Sequence, residues 1–396
     1  MPWLETNAMS ERARFVIAVR EHGMSIAAAC REFGVSRPSG YKWLKRYDEG
    51  GVAALADQSR APKSSPQATP EAVIKQVVEA REKHPDWGPK KLRAYLSALD
   101  KRTPWPAAST MGDLLTQRGL VEPRTQRRKP PALSTTPLSH ADRPNALWSG
   151  DFKGQFRLGC GEYCYPLTAT DNFSRKIFAC EGLTGTEGAG AIPVFDRVFR
   201  EEGLPEAIRT DNGPPFATNS LGGLSELSVW WLKLGIRHER IAPGHPEQNG
   251  RHERMHLTLK RATTRPAGFD ATEQQARFDR FRREFNDERP HEALNMKTPS
   301  SVHMRSERSY DGHTPEPEYP NDDVVLRVRS TGQLQFGGDA ITVGKPLAGQ
   351  LLGLLELDDD CWLVNFASVE LGIFRRGDTR VESLDEPGRH WRTNHF

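Results

Sequence analysis

Residues 245–256 read H-P-E-Q-N-G-R-H-E-R-M-H, and this stretch admits two interpretations of one glutamate. Its last five letters form H-E-x-x-H, a pattern that binds zinc when it lies on a helix and that uses the glutamate as general base. The same stretch also forms P-x-x-x-G-x-x-E, in which Glu253 follows a glycine near the start of a predicted helix and could itself bind a metal ion. The segments around this stretch decide between the two.

The segments before this helix predict a mixed sheet. Three runs alternate apolar and polar residues and are rich in Phe, Tyr, Thr and Ile, which predicts three successive antiparallel strands over residues 147–157, 162–171 and 174–181. Helix-like and strand-like segments then alternate over residues 187–202, 206–211, 220–234, 236–241 and 248–263. The order βββαβαβα predicts a central α/β core, in which helices cover the faces of a mixed sheet.

Two more carboxylates lie on the predicted strands. Asp151 lies within the first strand, and Asp211 lies at the end of the fourth. These strands can be neighbours in such a sheet, so we expect the two acids to converge, with Glu253 brought in by the following helix. Converging carboxylates repel one another unless cations lie among them, and oxygen-rich sites suit Mg²⁺ or Mn²⁺. Two such ions roughly 3.5–4 Å apart can serve phosphoryl transfer.

Several motifs in this region carry a family resemblance. W-S-G-D-F at 148–152, T-D-N-G-P-P-F at 210–216 and P-x-x-x-G-x-x-E at 246–253 resemble the catalytic core of the retroviral integrase superfamily of DDE recombinases. N-D-E-R-P-H at 286–291 and T-P-S-S at 298–301 resemble the end of that core in bacterial insertion-sequence transposases. The resemblance covers a predicted domain at residues 144–305. It implies an RNase H-like fold, two Mg²⁺ (or Mn²⁺) ions, and Asp151, Asp211 and Glu253 as the catalytic, metal-binding triad.

The third acid departs from the retroviral pattern. Glu253 is farther from Asp211 than the spacing in retroviral integrases, and Glu247 lies nearer to that spacing. We prefer Glu253, because a metal ligand must be fixed on a rigid element and Glu247 sits beside Pro246 in a loop. A loop insertion near residues 221–226 accounts for the extra length. Glu247 remains the alternative third ligand.

The zinc hydrolase interpretation is the weaker one. Pro246, Asn249 and Gly250 are unsuited to a long zinc-protease helix, and nothing marks Glu273 as a third ligand. We therefore expect His252 and His256 to face DNA or solvent. The basic residues that share the predicted helix are expected to bind DNA; they are Arg251, Arg254, Lys260 and Arg261.

The N-terminal part, residues 1–56, predicts a helix-turn-helix DNA-binding domain. Gly34 provides the backbone freedom of a tight turn, Ser36 is a good N-cap, and Pro38 is tolerated in a first helical turn. The second helix is basic and contains aromatic residues, which favours contact with DNA. Its expected DNA contacts are Arg37, Ser39, Tyr41, Lys42, Lys45 and Arg46. A plain helical hairpin with a solvated basic surface is the alternative.

Two further N-terminal segments follow. Residues 68–122 predict three helices, either a second helix-turn-helix or winged module or a plain three-helix bundle. Residues 123–143 form a basic, Pro-rich linker whose Arg127, Arg128 and Lys129 could lie along a phosphate backbone or act as a spacer. Residues 1–140 carry 23 Lys and Arg against 14 Asp and Glu, a balance that suits contact with a polyanion.

The C-terminal part differs from the N-terminal part in its predicted secondary structure and in its net charge. Six short strand-like runs separated by turns predict a small β-barrel over residues 320–380. Residues 311–396 carry 8 Lys and Arg against 15 Asp and Glu, so this part does not share the basic character of the N-terminal part.

Composition excludes several classes of protein. No apolar run approaches the length of a membrane span, and the N-terminus has no apolar core of a signal peptide, so we expect a cytoplasmic protein associated with the nucleoid. Five cysteines, an odd number, argue against a disulfide framework. The close pair Cys160 and Cys164 has no partner pair with zinc-site spacing, and we expect two buried strand cysteines.

The whole architecture resembles bacterial insertion-sequence transposases. The resemblance implies an enzyme that binds the terminal inverted repeats of a mobile element, frees 3′-OH ends and joins them to target DNA by two-metal transesterification. It also implies a homo-multimer assembled on double-stranded DNA. The alternatives are a catalytically inactive DNA-binding regulator and, more remotely, an H-E-x-x-H zinc metalloprotease.

Overall fold

The computed structural model describes residues 8–57, 68–121, 138–242 and 245–384 of the chain. The chain divides into two compact units, Met1–Pro70 and Glu71–Phe396. Among the described residues, no helix is both long and apolar enough to cross a lipid bilayer. All five cysteines are free thiols; Cys164 is buried, but Cys160 is exposed, so the prediction of two buried strand cysteines is right only for Cys164.

The first unit consists of three helices, α1 (Ala8–Arg20), α2 (Ile26–Glu32) and α3 (Arg37–Gly50). Both turns between them end in a serine cap, since Ser25 accepts a hydrogen bond from the backbone of Ala28 and Ser36 accepts one from Ser39. Gly34 has a φ of 64°, as the tight turn between α2 and α3 requires. The helices enclose a small apolar core made of Phe15, Val16, Ala29, Cys30, Leu44 and Leu55.

The second unit begins with three more helices, α4 (Glu71–Lys83), α5 (Pro89–Leu99) and α6 (Ala108–Gln117). They pack around Trp87, with Val77, Leu92, Leu96, Met111 and Leu115. Residues 68–121 contain no strand, so a wing is not present in this described segment.

The central sheet has six strands, one more than predicted because a two-residue strand follows the first. Along the chain the elements are β1 (Trp148–Phe152), β2 (Phe156–Arg157), β3 (Tyr163–Asp171), β4 (Ile177–Leu183), α7 (Gly188–Glu202), β5 (Ala207–Thr210), α8 (Glu226–Lys233), β6 (Arg237–Arg240), α9 (Gly250–Thr263), α10 (Ala271–Arg283) and α11 (Pro299–Val302). The spatial order is β2-β3-β1-β5-β6, with β4 on the other side of β3.

Strand β1 lies at the centre, antiparallel to β3 and parallel to β5. The first and fourth strands predicted from the sequence are therefore neighbours, as expected. An aromatic core packs α7 and α8 against the sheet through Trp148, Phe195, Phe199 and Trp231. A second cluster packs α9 and α10 against β3 and β4, which fixes α9 beside the central strands.

The C-terminal strands are β7 (Val324–Arg327), β8 (Gln333–Phe336), β9 (Asp339–Thr342), β10 (Leu351–Asp358), β11 (Cys361–Phe366), β12 (Val369–Arg375) and β13 (Glu382–Ser383). Five of them form an antiparallel sheet in the order β13-β12-β11-β10-β7, and β8 and β9 form a separate hairpin. The predicted strands are thus present as an antiparallel sheet and a hairpin that share one apolar core, and strand pairings that close them into a barrel are not shown among the described residues.

Candidate active site

Two of the three predicted acids lie at one end of the central strands. The parallel ladder pairs Trp148 with Ile208 and Ser149 with Arg209. Asp151, within β1, and Asp211, directly after β5, follow these pairs at equivalent positions. The register of β1 and β5 therefore brings the two carboxylates together at the C-terminal ends of these two strands.

The surroundings of Asp151 and Asp211 disfavour the deprotonated, negatively charged forms of both side chains. Burial and the neighbouring charge of Asp211 raise the pKa of Asp151 to about 7, and the charge of Glu253 acts in the same direction. Burial also raises the pKa of Asp211, against the opposing effect of a hydrogen bond from the Gly213 backbone. A bound cation would relieve this repulsion, so the donor set fits a divalent metal ion.

The backbone of Gly213 lies close to the carboxylate of Asp211 and donates a hydrogen bond to it. Its N–H donates to Oδ1 of Asp211 at 3.1 Å. A Cβ atom at this position would lie 3.3 Å from Oδ2 of the same carboxylate, which is tighter than most real contacts. A residue without a side chain therefore lets the backbone approach the acid closely.

Glu253 lies in the first turn of α9, and its side chain is exposed. The contribution of Glu253 to the raised pKa of Asp151 places it within electrostatic range of that carboxylate. Glu247 belongs to a short 3-10 turn, Pro246–Asn249, and its side chain lies outside the described residues. The choice between the two glutamates stays a prediction.

The two histidines of the H-E-x-x-H pattern do not face DNA or solvent, and that prediction is wrong. His252 and His256 are 2% and 5% exposed, on the side of α9 that packs against β3. Their Nε2 atoms both lie 2.7 Å from Oγ1 of Thr168, and Nδ1 of His252 lies 3.0 Å from Oγ1 of Thr170. The signal was present in the sequence, because His252, Met255, His256 and Leu259 recur at helical spacing and form the buried stripe of α9.

A zinc site of the H-E-x-x-H kind does not fit this arrangement. Ligand atoms of Asp151, His252 and His256 lie within 4.8 Å of one another, so distance alone would allow a metal ion. However, the hydroxyl of Thr168 occupies the place between the two Nε2 atoms that a shared ion would need. Glu253 is exposed, whereas the histidines are buried. Glu273 is paired with Arg277 at 2.7 Å instead.

A buried polar network, which the sequence analysis missed, ties the start of α9 to β1. Asn172 donates from Nδ2 to Oγ of Ser149 at 2.7 Å, and Ser149 donates to Oδ1 of Asn249 at 3.1 Å. Ser149 is two residues before Asp151, and Asn249 is four residues before Glu253. The network therefore positions the strand and the helix that carry two of the acids. Its partners are distant in sequence, and no local pattern indicates them.

A basic cleft of about 930 Å³ opens beside Glu253. Its cationic and imidazole side chains come from α5, α9 and the loops; they are Lys91, Arg175, Arg251, His252, Arg254, Arg289 and His291. Burial and the charge of Arg289 lower the pKa of Lys91 to about 8, and burial with Arg251 and Arg254 lowers that of Arg175 to about 10. The cleft therefore concentrates positive charge that an anion would stabilise.

Two buried atoms in this cleft have no hydrogen-bond partner within the described part of the chain. They are Nε of Arg289 and Nε2 of His291. Burial, together with the charges of Lys91, Arg289 and Arg175, lowers the pKa of His291 to about 3, so its ring is neutral at pH 7. Unpaired buried polar atoms are rare in proteins, and a bound water or ion is one explanation for them.

The basic residues predicted on α9 are exposed; they are Arg251, Arg254, Lys260 and Arg261. Arg251 also donates to the carbonyl of Asn172 at 3.2 Å. The residues predicted on α3 divide into two groups. Arg37, Tyr41, Lys42 and Lys45 are exposed, but Ser39 is half-buried with its hydroxyl bonded to Ser36, and Arg46 lies over the ring of Trp43. Arg127, Arg128 and Lys129 lie outside the described residues.

Family models match most of these regions. An integrase core domain model matches residues 141–246, and a second integrase core domain model matches residues 234–299. A helix-turn-helix domain model matches residues 11–63, and a homeodomain-like domain model matches residues 39–115. The integrase matches contain Asp151, Asp211 and Glu253, and the helix-turn-helix match contains α1, α2 and α3.

Two similar proteins come from bacterial insertion elements. An uncharacterized 31.7 kDa protein of insertion element IS407 from Burkholderia multivorans is 28% identical over 50% of this chain and 69% of its own length. An uncharacterized 39.2 kDa protein of insertion element IS476 from Xanthomonas euvesicatoria is 27% identical over 64% of this chain and 71% of its own length.

One solved structure in the comparison is the HTLV-2 integrase catalytic core domain in complex with magnesium. It is 18% identical, covers 41% of this chain and 99% of its own, and superposes with a TM-score of 0.33. A simian T-cell lymphotropic virus intasome is 15% identical over 73% of this chain and 91% of its own, with a TM-score of 0.37.

Proposed function

We propose that this chain, an insertion-element-type protein that combines helix-turn-helix domains with an integrase core of the retroviral type, is a DNA transposase. The observation that carries the proposal is the pairing of β1 with β5. This register sets Asp151 and Asp211 at equivalent positions, in a place where the pKa of Asp151 is raised by both other acids.

In this proposal Asp151 and Asp211 hold one Mg²⁺ or Mn²⁺ ion together, and Glu253 completes the place for a second. The ions would supply activation of an attacking oxygen and stabilisation of a leaving oxygen. The chain itself supplies the fixed carboxylates, because β1, β5 and α9 are tied to one another by the sheet and by the Ser149 network. Preorganised ligands avoid reorganisation during the reaction.

The proposed reaction has two steps on DNA. Water attacks a phosphodiester at the element end, so that a P–O bond forms, another breaks, and a 3′-hydroxyl is released. That hydroxyl then attacks a phosphodiester of the target DNA, and the broken bond leaves a new 3′-hydroxyl on the target strand. One P–O bond replaces another in the second step, so no covalent bond between protein and DNA is needed.

The charged surfaces of the chain fit this substrate. Helix α3 would enter the major groove of a terminal inverted repeat with Arg37, Tyr41, Lys42 and Lys45. The basic cleft beside Glu253 would hold the phosphate backbone of the strand to be cut, together with the exposed arginines and lysine of α9. Two element ends require two active sites, so we propose a homo-multimer assembled on DNA in the bacterial cytoplasm.

Metal-dependent nicking of DNA tests the proposal. The substrate is an end-labelled duplex that carries the inverted repeats flanking the coding region. We expect cleavage with Mg²⁺ or Mn²⁺, none with EDTA, and none by Asp211→Asn, which should still bind the duplex. Binding without cleavage by the unaltered protein under all metal conditions would instead indicate a DNA-binding regulator. Peptide cleavage that is sensitive to chelators would indicate the metalloprotease.

A further inference from the structure

We propose that His256 is a nitrogen ligand of the metal site, acting through Nδ1 beside the Oδ2 atom of Asp151. The two atoms lie 3.6 Å apart. This inference rests on the proposed function, because it deepens the metal site that Asp151, Asp211 and Glu253 are proposed to form. It changes the donor set from oxygen atoms alone to a mixture of oxygen and nitrogen.

The first argument comes from the hydroxyl of Thr168, which has three neighbours. It lies 3.1 Å from the backbone carbonyl of Asp151 and 2.7 Å from Nε2 of both His252 and His256. A hydroxyl has one proton to donate and two lone pairs that accept. The carbonyl can only accept, so Thr168 donates its proton there, and all three contacts are satisfied when both histidines carry a proton on Nε2.

This proton arrangement leaves the two histidines in different states. The Nδ1 atom of His252 is then an acceptor, and the hydroxyl of Thr170 at 3.0 Å can donate to it. The Nδ1 atom of His256 is also an acceptor, but its neighbour is the carboxylate of Asp151. The described hydrogen bond of His256 joins its Nε2 atom, not its Nδ1 atom, to Thr168. The Nδ1 lone pair of His256 thus faces the carboxylate of Asp151, and His256 itself is only 5% exposed.

A cation between the two atoms resolves this conflict. With the Nε2 proton of His256 directed to Thr168, the ring presents the Nδ1 lone pair to Asp151. A neutral imidazole nitrogen is a good ligand for first-row transition metals. Two ligand atoms about 2.1 Å from one ion lie about 3.0 Å apart at a right angle and about 3.6 Å apart at about 118°, so a small approach of the two side chains would bring both into contact with one ion.

The spacing along α9 supports the same conclusion. Glu253 and His256 form Glu-x-x-His, and residues three apart on a helix are neighbours. The same i, i+3 pair supplies ligands from one helix in dinuclear carboxylate sites of helical bundles. His252 does not compete for this role, because both of its nitrogen atoms already lie within hydrogen-bond distance of threonine hydroxyls.

The added nitrogen has a consequence for metal choice. Mg²⁺ and Mn²⁺ both prefer oxygen ligands, but Mn²⁺ accepts an imidazole nitrogen more readily than Mg²⁺ does, and Co²⁺ accepts it more readily still. We expect the unaltered protein to bind Mn²⁺ at least about tenfold more tightly than Mg²⁺, and we expect His256→Asn to lose most of that difference. His22→Asn, at an exposed position in the first unit, is the matched control.

Pulsed electron paramagnetic resonance on full-length protein with Mn²⁺ is the decisive measurement, since it detects the nuclei of the metal ligands directly and does not depend on DNA cleavage. We expect ¹⁴N coupling of an imidazole, replaced by ¹⁵N coupling when only histidine is ¹⁵N-labelled. The labelled unaltered protein shows whether any histidine binds the ion even when a variant fails to fold, and absence of coupling there already overturns the inference. His256→Asn should remove the coupling, and His22→Asn should keep it.

The outcomes separate this inference from the proposed function. Bound Mn²⁺ without nitrogen coupling, together with metal-dependent cleavage of DNA, overturns the role of His256 and leaves the transposase proposal intact. Nitrogen coupling that persists in a folded His256→Asn variant also overturns it. Nitrogen coupling that depends on His256 and Asp151, in a protein that never cleaves DNA, supports the ligand and contradicts the proposed function.

Discussion

Asp151 on β1 and Asp211 after β5 stand at equivalent positions of a parallel strand pair, three residues beyond the pairing of Trp148 with Ile208. Each strand alone would leave its acid at a separate solvent-facing place. The parallel register makes them one site, in which burial and mutual repulsion raise the pKa of Asp151 to about 7. A bound cation would relieve the repulsion among the carboxylates of this site.

The first prediction concerns the two aspartates. Asp151→Asn and Asp211→Asn each keep the size of the side chain and remove its charge. We expect cleavage of end-labelled DNA to fall by at least about 100-fold, because a catalytic metal contributes several kcal/mol. Gel-shift affinity for the same duplex should stay within about twofold, since binding is proposed to arise from α3 and the cleft. Cleavage near the unaltered rate by either variant would remove that residue from the proposed triad.

The second prediction concerns pH and stability without metal. The pKa of Asp151 is about 7 in the folded chain and about 4 when unfolded, so the folded state holds the proton more tightly. The stabilisation is complete below pH 4 and is lost as pH rises through 7. In EDTA, the contribution of this residue to the melting temperature should therefore decline between pH 5 and pH 8.

The control for this pH effect is Asp151→Asn, which removes the titrating group. Its melting temperature should change less between pH 5 and pH 8, and it should exceed that of the unaltered protein at pH 8 by about 1–2 °C for each kcal/mol of repulsion removed. Mg²⁺ or Mn²⁺ should raise the melting temperature of the unaltered protein at pH 8 more than that of the variant. Equal slopes for both proteins would show that another group dominates.

Local sequence patterns were enough to predict which strands and which helix carry the three acids. Alternating residues located the strands, and the wide spacing of Asp151 and Asp211 became informative through the order of those strands. The element order also predicted α9 and thus the neighbourhood of Glu253. What the sequence could not supply was the partner of each side chain across the fold, such as Thr168 for both histidines.

The error at His252 and His256 has a specific physical cause. Imidazole is polar, so the two residues were grouped with the arginines of the same helix. Their spacing with Met255 and Leu259 marks the buried stripe of α9, and the threonines of β3 satisfy their nitrogen atoms. Periodicity was the better guide than polarity here. The strands of the C-terminal part were likewise predictable, whereas their closure into a barrel depends on pairings between distant strands.

The third prediction separates the two candidate glutamates. Glu253→Gln should abolish metal-dependent cleavage as strongly as Asp211→Asn, because Glu253 adds to the charge that Asp151 experiences. Glu247→Gln is the matched control six residues earlier, and it should keep cleavage within about threefold. Single-turnover rates with saturating Mn²⁺ provide the measurement. The reverse pattern would make Glu247 the third ligand and would assign Glu253 to the rim of the cleft.

The fourth prediction concerns Thr168, whose hydroxyl serves two buried histidines and a carbonyl. Thr168→Val keeps the shape of the side chain but leaves several buried polar atoms without a partner. We expect the free energy of unfolding to fall by about 1–3 kcal/mol, measured by urea denaturation. Thr258→Val, on the half-buried side of α9 with only a local bond to Arg254, should fall within about 0.5 kcal/mol of the unaltered protein. An equal loss in both variants would contradict the shared role of the Thr168 hydroxyl.

The fifth prediction tests the cleft through two adjacent lysines of α5. Lys91 lines the cleft, and burial and Arg289 lower its pKa to about 8, whereas Lys90 is exposed and pairs with Glu292 at 3.5 Å. A phosphate in the cleft would stabilise the charge of Lys91 and release counterions from DNA. Lys91→Gln should therefore weaken binding of unrelated and cognate duplexes alike and reduce the slope of log K against log salt by about one. Lys90→Gln should leave that slope nearly unchanged. Identical slopes for both variants would mean that the DNA backbone does not enter the cleft, and the path of the cut strand would then have to follow the exposed face of α9.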